Sequence, residues 1–161
     1  METAYAVALG SNLGDSEQII EEALIRLDRL DGMRLKVRSH LYKTAPVGPP
    51  QPDYINACAV FCTVLSPEHV LQMLLTIEAS FGRIRRERWG PRTLDLDLLF
   101  YGDQVIDTPK LTLPHPRMHD RAFVLVPLAE IAAHWLHPVR LQTVTELLEQ
   151  VETAGVYPLI A

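Results

Sequence analysis

Asp95 and Asp97 stand one residue apart in TLDLDLLFY, directly after GRIRRERWGPR, which carries Arg83, Arg85, Arg86, Arg88 and Arg92 within ten residues. Neighbouring carboxylates repel unless something neutralises them, and hard divalent cations take oxygen ligands of this kind. Mg2+ usually combines one or two carboxylates with waters and substrate phosphates, and is rarely held in an all-protein cage. Arginines supply planar donors that grip phosphate oxygens in pairs. Carboxylates for a metal beside arginines for phosphates is the equipment of phosphoryl transfer. Taken alone, aspartates on a wet strand face or arginines in a surface loop are ordinary. Their adjacency, with Gly90-Pro91 bracing the loop between them, is what points to chemistry. The chain has neither G-x-x-x-x-G-K-[ST] nor G-x-G-x-x-G, so a nucleotide would have to be held by side chains.

Such a pair needs a strand to carry it. Successive side chains of a strand face opposite ways, so Leu94, Leu96, Leu98 and Phe100 are expected on a buried face. Asp95 and Asp97 then stand on the other face, roughly 7 Å apart. Upstream, AYAVAL (4–9) reads as a buried strand ending at Gly10. DSEQIIEEALIRLDRLDG follows with Ile19, Ile20, Ala23, Leu24, Leu27 and Leu30 at helical spacing and Gly32 as its stop. MRLKVRSHLYKT alternates as a half-exposed strand, APVGPPQPD is a constrained loop, and YINACAVFCTVL is a second long strand. Ser66-Pro67 opens a helix that runs to about Gly82. With TLDLDLLFY the order is β-α-β-β-α-β, an α+β ferredoxin-like core. LTLPHPRMHDRAF is irregular, and two helical patterns, LVPLAEIAA and TVTELLEQV, are expected to finish a single domain spanning 1–161.

The 161 residues carry a net charge of -5, which argues against a general nucleic-acid or membrane binder, since those partners need a basic face. No apolar run approaches the ~20 residues of a membrane helix, and METAYAVALG has no basic leader region, so a cytoplasmic protein is expected. Cys58 and Cys62 lie on one strand and are read as reduced core thiols.

RWGPRTLDLDLLFYG resembles the signature of the 6-hydroxymethyl-7,8-dihydropterin pyrophosphokinase family of folate biosynthesis. ALGSNLGD, TAPVGPPQPDYINA, IEASFGRIRRERWGPRTLDLD and LTLPHPRMHDRAFVLVPL extend the resemblance over nearly the whole chain. It implies transfer of the β,γ-diphosphate of ATP to the hydroxymethyl group of the dihydropterin, with release of AMP, by a monomer. By similarity, Asp95 and Asp97 hold two Mg2+ ions, Arg83 and Arg92 grip phosphates, and Arg85 and Trp89 ride on a loop that closes over the site. Glu78, Lys110, Thr112, His115 and Arg121 match positions on the nucleotide side. The pterin is implied to lie between Tyr54 and Phe123, with Asn56, Trp89, Asp95 and the backbone around Thr44 and Val47 at its edges. Pattern alone favours core aromatics for Tyr54 and Phe123, leaves His115 open between a turn residue and a site residue, and leaves Arg121 open as a helix-end cation and Ser11-Asn12 as turn residues or a substrate floor.

Two competitors differ in kind. A Mg-dependent nucleotidyltransferase of the polymerase-β type also joins a Gly-Ser turn to a D-x-D strand, but keeps the two close in sequence. Here Ser11 and Asp95 are more than eighty residues apart. An RNA-binding ferredoxin-like module wants exposed aromatics on its central strands, where this chain has carboxylates.

Overall fold

The structure is a computed structural model that describes residues 2–46, 50–82 and 93–159. Strand β1 (Thr3–Ser11) leads to helix α1 (Ser16–Asp28), then β2 (Met33–Arg38), β3 (Tyr42–Thr44), β4 (Tyr54–Thr63), α2 (Pro67–Ser80) and β5 (Asp95–Tyr101). A small hairpin of β6 (Ile106–Asp107) and β7 (Thr112–Leu113) follows, then α3 (Ala122–Ala132), α4 (Val144–Glu149) and β8 (Val156–Pro158). Among the described residues the main sheet runs β5-β1-β4-β3-β8, with β2 also paired to β4. Its core pairings are antiparallel. This is the anticipated ferredoxin-like order, with the second strand broken into β2 and β3.

Helix α1 starts where Asp15 accepts from the Gln18 amide, and α2 where Ser66 accepts from the His69 amide with Pro67 at its first turn. Such caps satisfy amides that have no partner inside the helix. α1 and α2 bury Leu24, Leu27, Leu74 and Ile77 against Val7, Leu9 and Phe61 on one side of the sheet. On the other side α3 and α4 bury Leu125, Leu128, Val144 and Leu147 against Ala6, Val60 and Phe100. The central strands are therefore covered on both faces, which is why AYAVAL reads as a continuous apolar run.

Three expectations need correction. Phe100 does not share a face with Leu94, Leu96 and Leu98. β5 has an irregularity opposite Ala6 and Val7, where Phe100 pairs with Ala6 and Leu98 with Val7, so Leu99 is an extra residue. A bulge of this sort resets the alternation, and Leu99 and Phe100 both enter the α3–α4 side while Tyr101 returns to the α1–α2 side. The face bearing the aspartates is consequently not open along its length, because α3 and α4 cover its far half. Second, MRLKVRSHLYKT is two strands, interrupted at Ser39–Leu41, where Ser39 Oγ accepts from the Cys58 amide and donates to the His40 carbonyl. Third, the chain does not finish on helices: β8 adds an edge strand against β3. Cys58 and Cys62 are both free thiols, the first buried and the second only half-buried.

Candidate active site

The register of the sheet assembles the site. Gly10 faces Asp95 on β5 and Asn56 on β4, and Asn56 in turn faces Tyr42 on β3. Directly opposed residues of antiparallel strands project to the same face, so Asp95, Gly10, Asn56 and Tyr42 form one row across four strands. Asp97, Ala8 and Cys58 form the next row, where the cover of α3 begins. A Cβ at Gly10 would lie 3.1 Å from Asn56 Nδ2, so a bare backbone keeps the floor between the carboxylate and the amide low.

Two residues outside the row fix β5 as a platform. Glu78, buried on α2, accepts from the Leu96 amide at 2.6 Å, between the two aspartates. The His115 amide donates to the Leu99 carbonyl at 2.9 Å, on the bulge. The His115 ring accepts at Nδ1 from the Arg117 amide at 3.1 Å, and its Nε2 lies 4.0 Å from Asp97 Oδ1. Burial, joined by Arg121 and Arg117 and partly opposed by Asp95 and Asp120, lowers its pKa to about 4. The ring is neutral at pH 7. With Nδ1 committed as acceptor, its one hydrogen sits on Nε2, aimed toward Asp97.

Toward the other end of the row lie two polar atoms left unsatisfied. Asn56 Oδ1 and Thr44 Oγ1 are buried with no hydrogen-bond partner among the described residues. Buried polar atoms without partners are uncommon and costly, so this pair is suited to an incoming ligand that carries donors. Tyr54 pairs with Thr44 across β3 and β4 and is half-buried. Phe123, in the first turn of α3, packs only at the margin of the core, with the Arg121 guanidinium 5.6 Å from its ring centre. Asn12, at the end of β1, donates to Gln51 Oε1 at 2.8 Å and to the Pro52 carbonyl at 2.9 Å, which ties the Pro-rich segment to the floor. Ser11 donates to Ser16 Oγ instead, at the mouth of α1.

Asp95, Asp97, His115, Asn56, Thr44 and Tyr54 are thus gathered on or beside one sheet face, with Arg121 and Phe123 at the start of the helix that covers it. Lys110 and Thr112 are exposed on the β6–β7 hairpin, which packs against β5 through β7. Val47, Arg83, Arg85, Trp89 and Arg92 lie outside the described residues. Gln51, Tyr42 and Glu130 were not singled out by sequence. A glutamine in a proline-rich loop, a tyrosine in an alternating strand and a glutamate on a helix carry no local signal.

Asp95 and Asp97 suit Mg2+ by their chemistry. Both are partly exposed, and among the described residues no group of three or more His, Cys, Asp or Glu side chains forms a metal cage. A two-carboxylate site that leaves positions for phosphate and water is what Mg2+ prefers.

Residues 6–133 match the model of the 7,8-dihydro-6-hydroxymethylpterin-pyrophosphokinase family. The chain is 49% identical over 152 residues to a Synechocystis protein named 2-amino-4-hydroxy-6-hydroxymethyldihydropteridine pyrophosphokinase, covering 94% of this chain and 78% of that one. It is 48% identical over 151 residues to the Haemophilus influenzae protein of the same name, covering 93% of each. A Methylorubrum extorquens protein of that name is 40% identical over 157 residues, covering 97% of this chain and 98% of its own. Among solved structures, Plasmodium falciparum HPPK-DHPS with pteroate superposes with a TM-score of 0.75 at 14% identity. That match covers 93% of this chain but 42% of the larger one, and shows the shared fold.

Proposed function

Since the chain belongs to the 7,8-dihydro-6-hydroxymethylpterin-pyrophosphokinase family, we propose that the row from Asp95 to Asn56 is the active-site floor on which ATP and the dihydropterin meet. The enzyme transfers diphosphate from ATP to the hydroxymethyl group of 6-hydroxymethyl-7,8-dihydropterin in folate biosynthesis. The hydroxymethyl oxygen attacks the β-phosphorus and its proton passes to solvent, the bond from that phosphorus to the α,β-bridging oxygen breaks, and AMP leaves with the electron pair.

The observation that carries the assignment of the floor is the polarity of the row. Carboxylates stand at one end and Asn56 Oδ1 and Thr44 Oγ1, without a hydrogen-bond partner among the described residues, lie toward the other, with bare Gly10 between. Asp95 and Asp97 are assigned to two Mg2+ ions. Bound Mg2+ supplies charge neutralisation for the phosphates and polarises the phosphoryl group. Asn56 and Thr44 accept from the amino and ring N–H groups of the pterin, and Tyr54 and Phe123 cover its flat faces. His115, neutral with its hydrogen on Nε2, acts as a hydrogen-bond donor toward a phosphate oxygen or Asp97; it is not the base. Arg121, Glu78, Lys110 and Thr112 belong to the nucleotide side, Arg83 and Arg92 to the phosphates, Arg85 and Trp89 to closure over the substrates, and the backbone around Val47 to the edge of the pterin. A single domain over 1–161 acting as a monomer completes the reading.

Product analysis tests it. With ATP, Mg2+ and the hydroxymethyl-dihydropterin, AMP should accumulate in step with pterin diphosphate. ADP as product, or pyrophosphate released with a nucleotidylated pterin, would overturn it.

A further inference from the structure

Glu130 lies on α3, seven residues after Phe123, so the two share a face of the helix about two turns apart. Its carboxylate is the meeting point of four contacts from the broken strand. The His40 amide reaches both oxygens at 3.1 Å, His40 Nδ1 lies 2.8 Å from Oε2, and the Tyr42 hydroxyl donates to Oε1 at 2.6 Å. Burial pushes the carboxyl up, but the bonds from Tyr42 and His40 outweigh it and leave its pKa below the ordinary glutamate value. Burial, together with the Glu130 charge, raises the Tyr42 hydroxyl to about 12. The clasp therefore stays ionic at Glu130 and neutral at Tyr42 throughout the physiological range.

Its placement gives it a consequence for substrates. Tyr42 is the end of the row that begins at Asp95, directly opposite Asn56, and Thr44 lies two residues along the same strand face. β3 is only three residues long, so its ladder bonds to β4 and β8 hold it weakly on their own. Glu130 adds a charged anchor from the helix that carries Phe123. One wall, with Thr44, is tied to the other, with Phe123, through a single carboxylate.

We propose that Glu130 is a positioning residue that sets the width of the pterin slot by clasping β3 to α3. The proposal rests on the reading of Asn56, Thr44 and Phe123 as the pterin site. Misplacement of a binding wall by about 1 Å is enough to cost on the order of tenfold to a hundredfold in function.

The test is steady-state kinetics on the full chain, each substrate varied in turn, beside thermal melts. Glu130→Gln should raise KM for the dihydropterin roughly tenfold, with KM for ATP within about twofold. Tyr42→Phe, which keeps the His40 contacts, should shift the same parameter in the same direction by less. Phe123→Ala is the control for the site itself. If Phe123→Ala weakens the pterin but Glu130→Gln and Tyr42→Phe do not, the clasp has no role in positioning and the proposal fails. If Glu130→Gln weakens both substrates alike in step with a lowered melting temperature, its role is general stability and the proposal again fails. If Phe123→Ala leaves the pterin KM unchanged, the pterin site is misassigned and the proposal falls with it. Should Glu130→Gln not fold, Tyr42→Phe decides alone.

Discussion

His115 shows how one side chain can report on the whole pocket. Its folded pKa of about 4 lies below the unfolded value of 6.5, so between those values the unfolded chain binds the extra proton. Stability is then fully present above about pH 6.5 and is lost as pH falls toward 4, by at most about 3 kcal/mol from this group. Denaturant melts in metal-free buffer from pH 7 to pH 4 should show that loss in the native sequence and a shallower one in His115→Asn. Equal slopes would mean the imidazole is not buried as described. Asp95 and Asp97 make the complementary case, because the proposed metal site accounts for two carboxylates held side by side. Asp97→Asn or Asp95→Asn should lower turnover with Mg2+ by on the order of a hundredfold or more. Their melting temperatures should be unchanged or slightly raised, since like-charge repulsion is relieved. A variant that turns over at the native rate would remove the metal assignment.

Strand β5 carries the largest difference between what was readable in sequence and what the fold does. The alternation in TLDLDLL is local, and it correctly put Leu94, Leu96 and Leu98 on one face and the aspartates on the other. A bulge is invisible to that rule, because it depends on which residue of β1 each residue of β5 meets. The alternation rule therefore puts Phe100 on the wrong side. The break between β2 and β3 was hidden for a similar reason: Ser39 and Glu130 satisfy the backbone there from distant parts of the chain. Of the candidate site, the motif blocks brought out the carboxylates and aromatics, whereas the clasp arises only from tertiary contact. Glu78 offers a test at this scale. Glu78→Gln retains an acceptor for the Leu96 amide and should keep most of the native stability. Glu78→Leu leaves that amide unpaired and should cost about 1–3 kcal/mol. Its turnover should fall further than its ATP affinity as the aspartates lose their platform. Parallel melts and kinetics on the two variants check it, and equal behaviour of both would show that the bond does not hold the strand.

At the scale of the molecule, one half of a sheet face is covered by α3 and α4 and the other half carries the row from Asp95 to Tyr42. Helix α3 stands at the border, with Leu125 and Leu128 in the core and Phe123 at its margin. Two of the strands at the edges of the sheet, β8 and β5, complete this picture. β8 is three residues long and ends in Pro158, which cannot donate a ladder bond. β5 is longer, but on its outer side the Leu96 amide is taken by Glu78 and the Leu99 carbonyl by the His115 amide. Free strand edges are templates on which other chains stack into aggregates. The two contacts that brace the strand bearing the aspartates therefore also act as gatekeepers, denying a neighbouring molecule the backbone groups from which a continuous intermolecular sheet would grow.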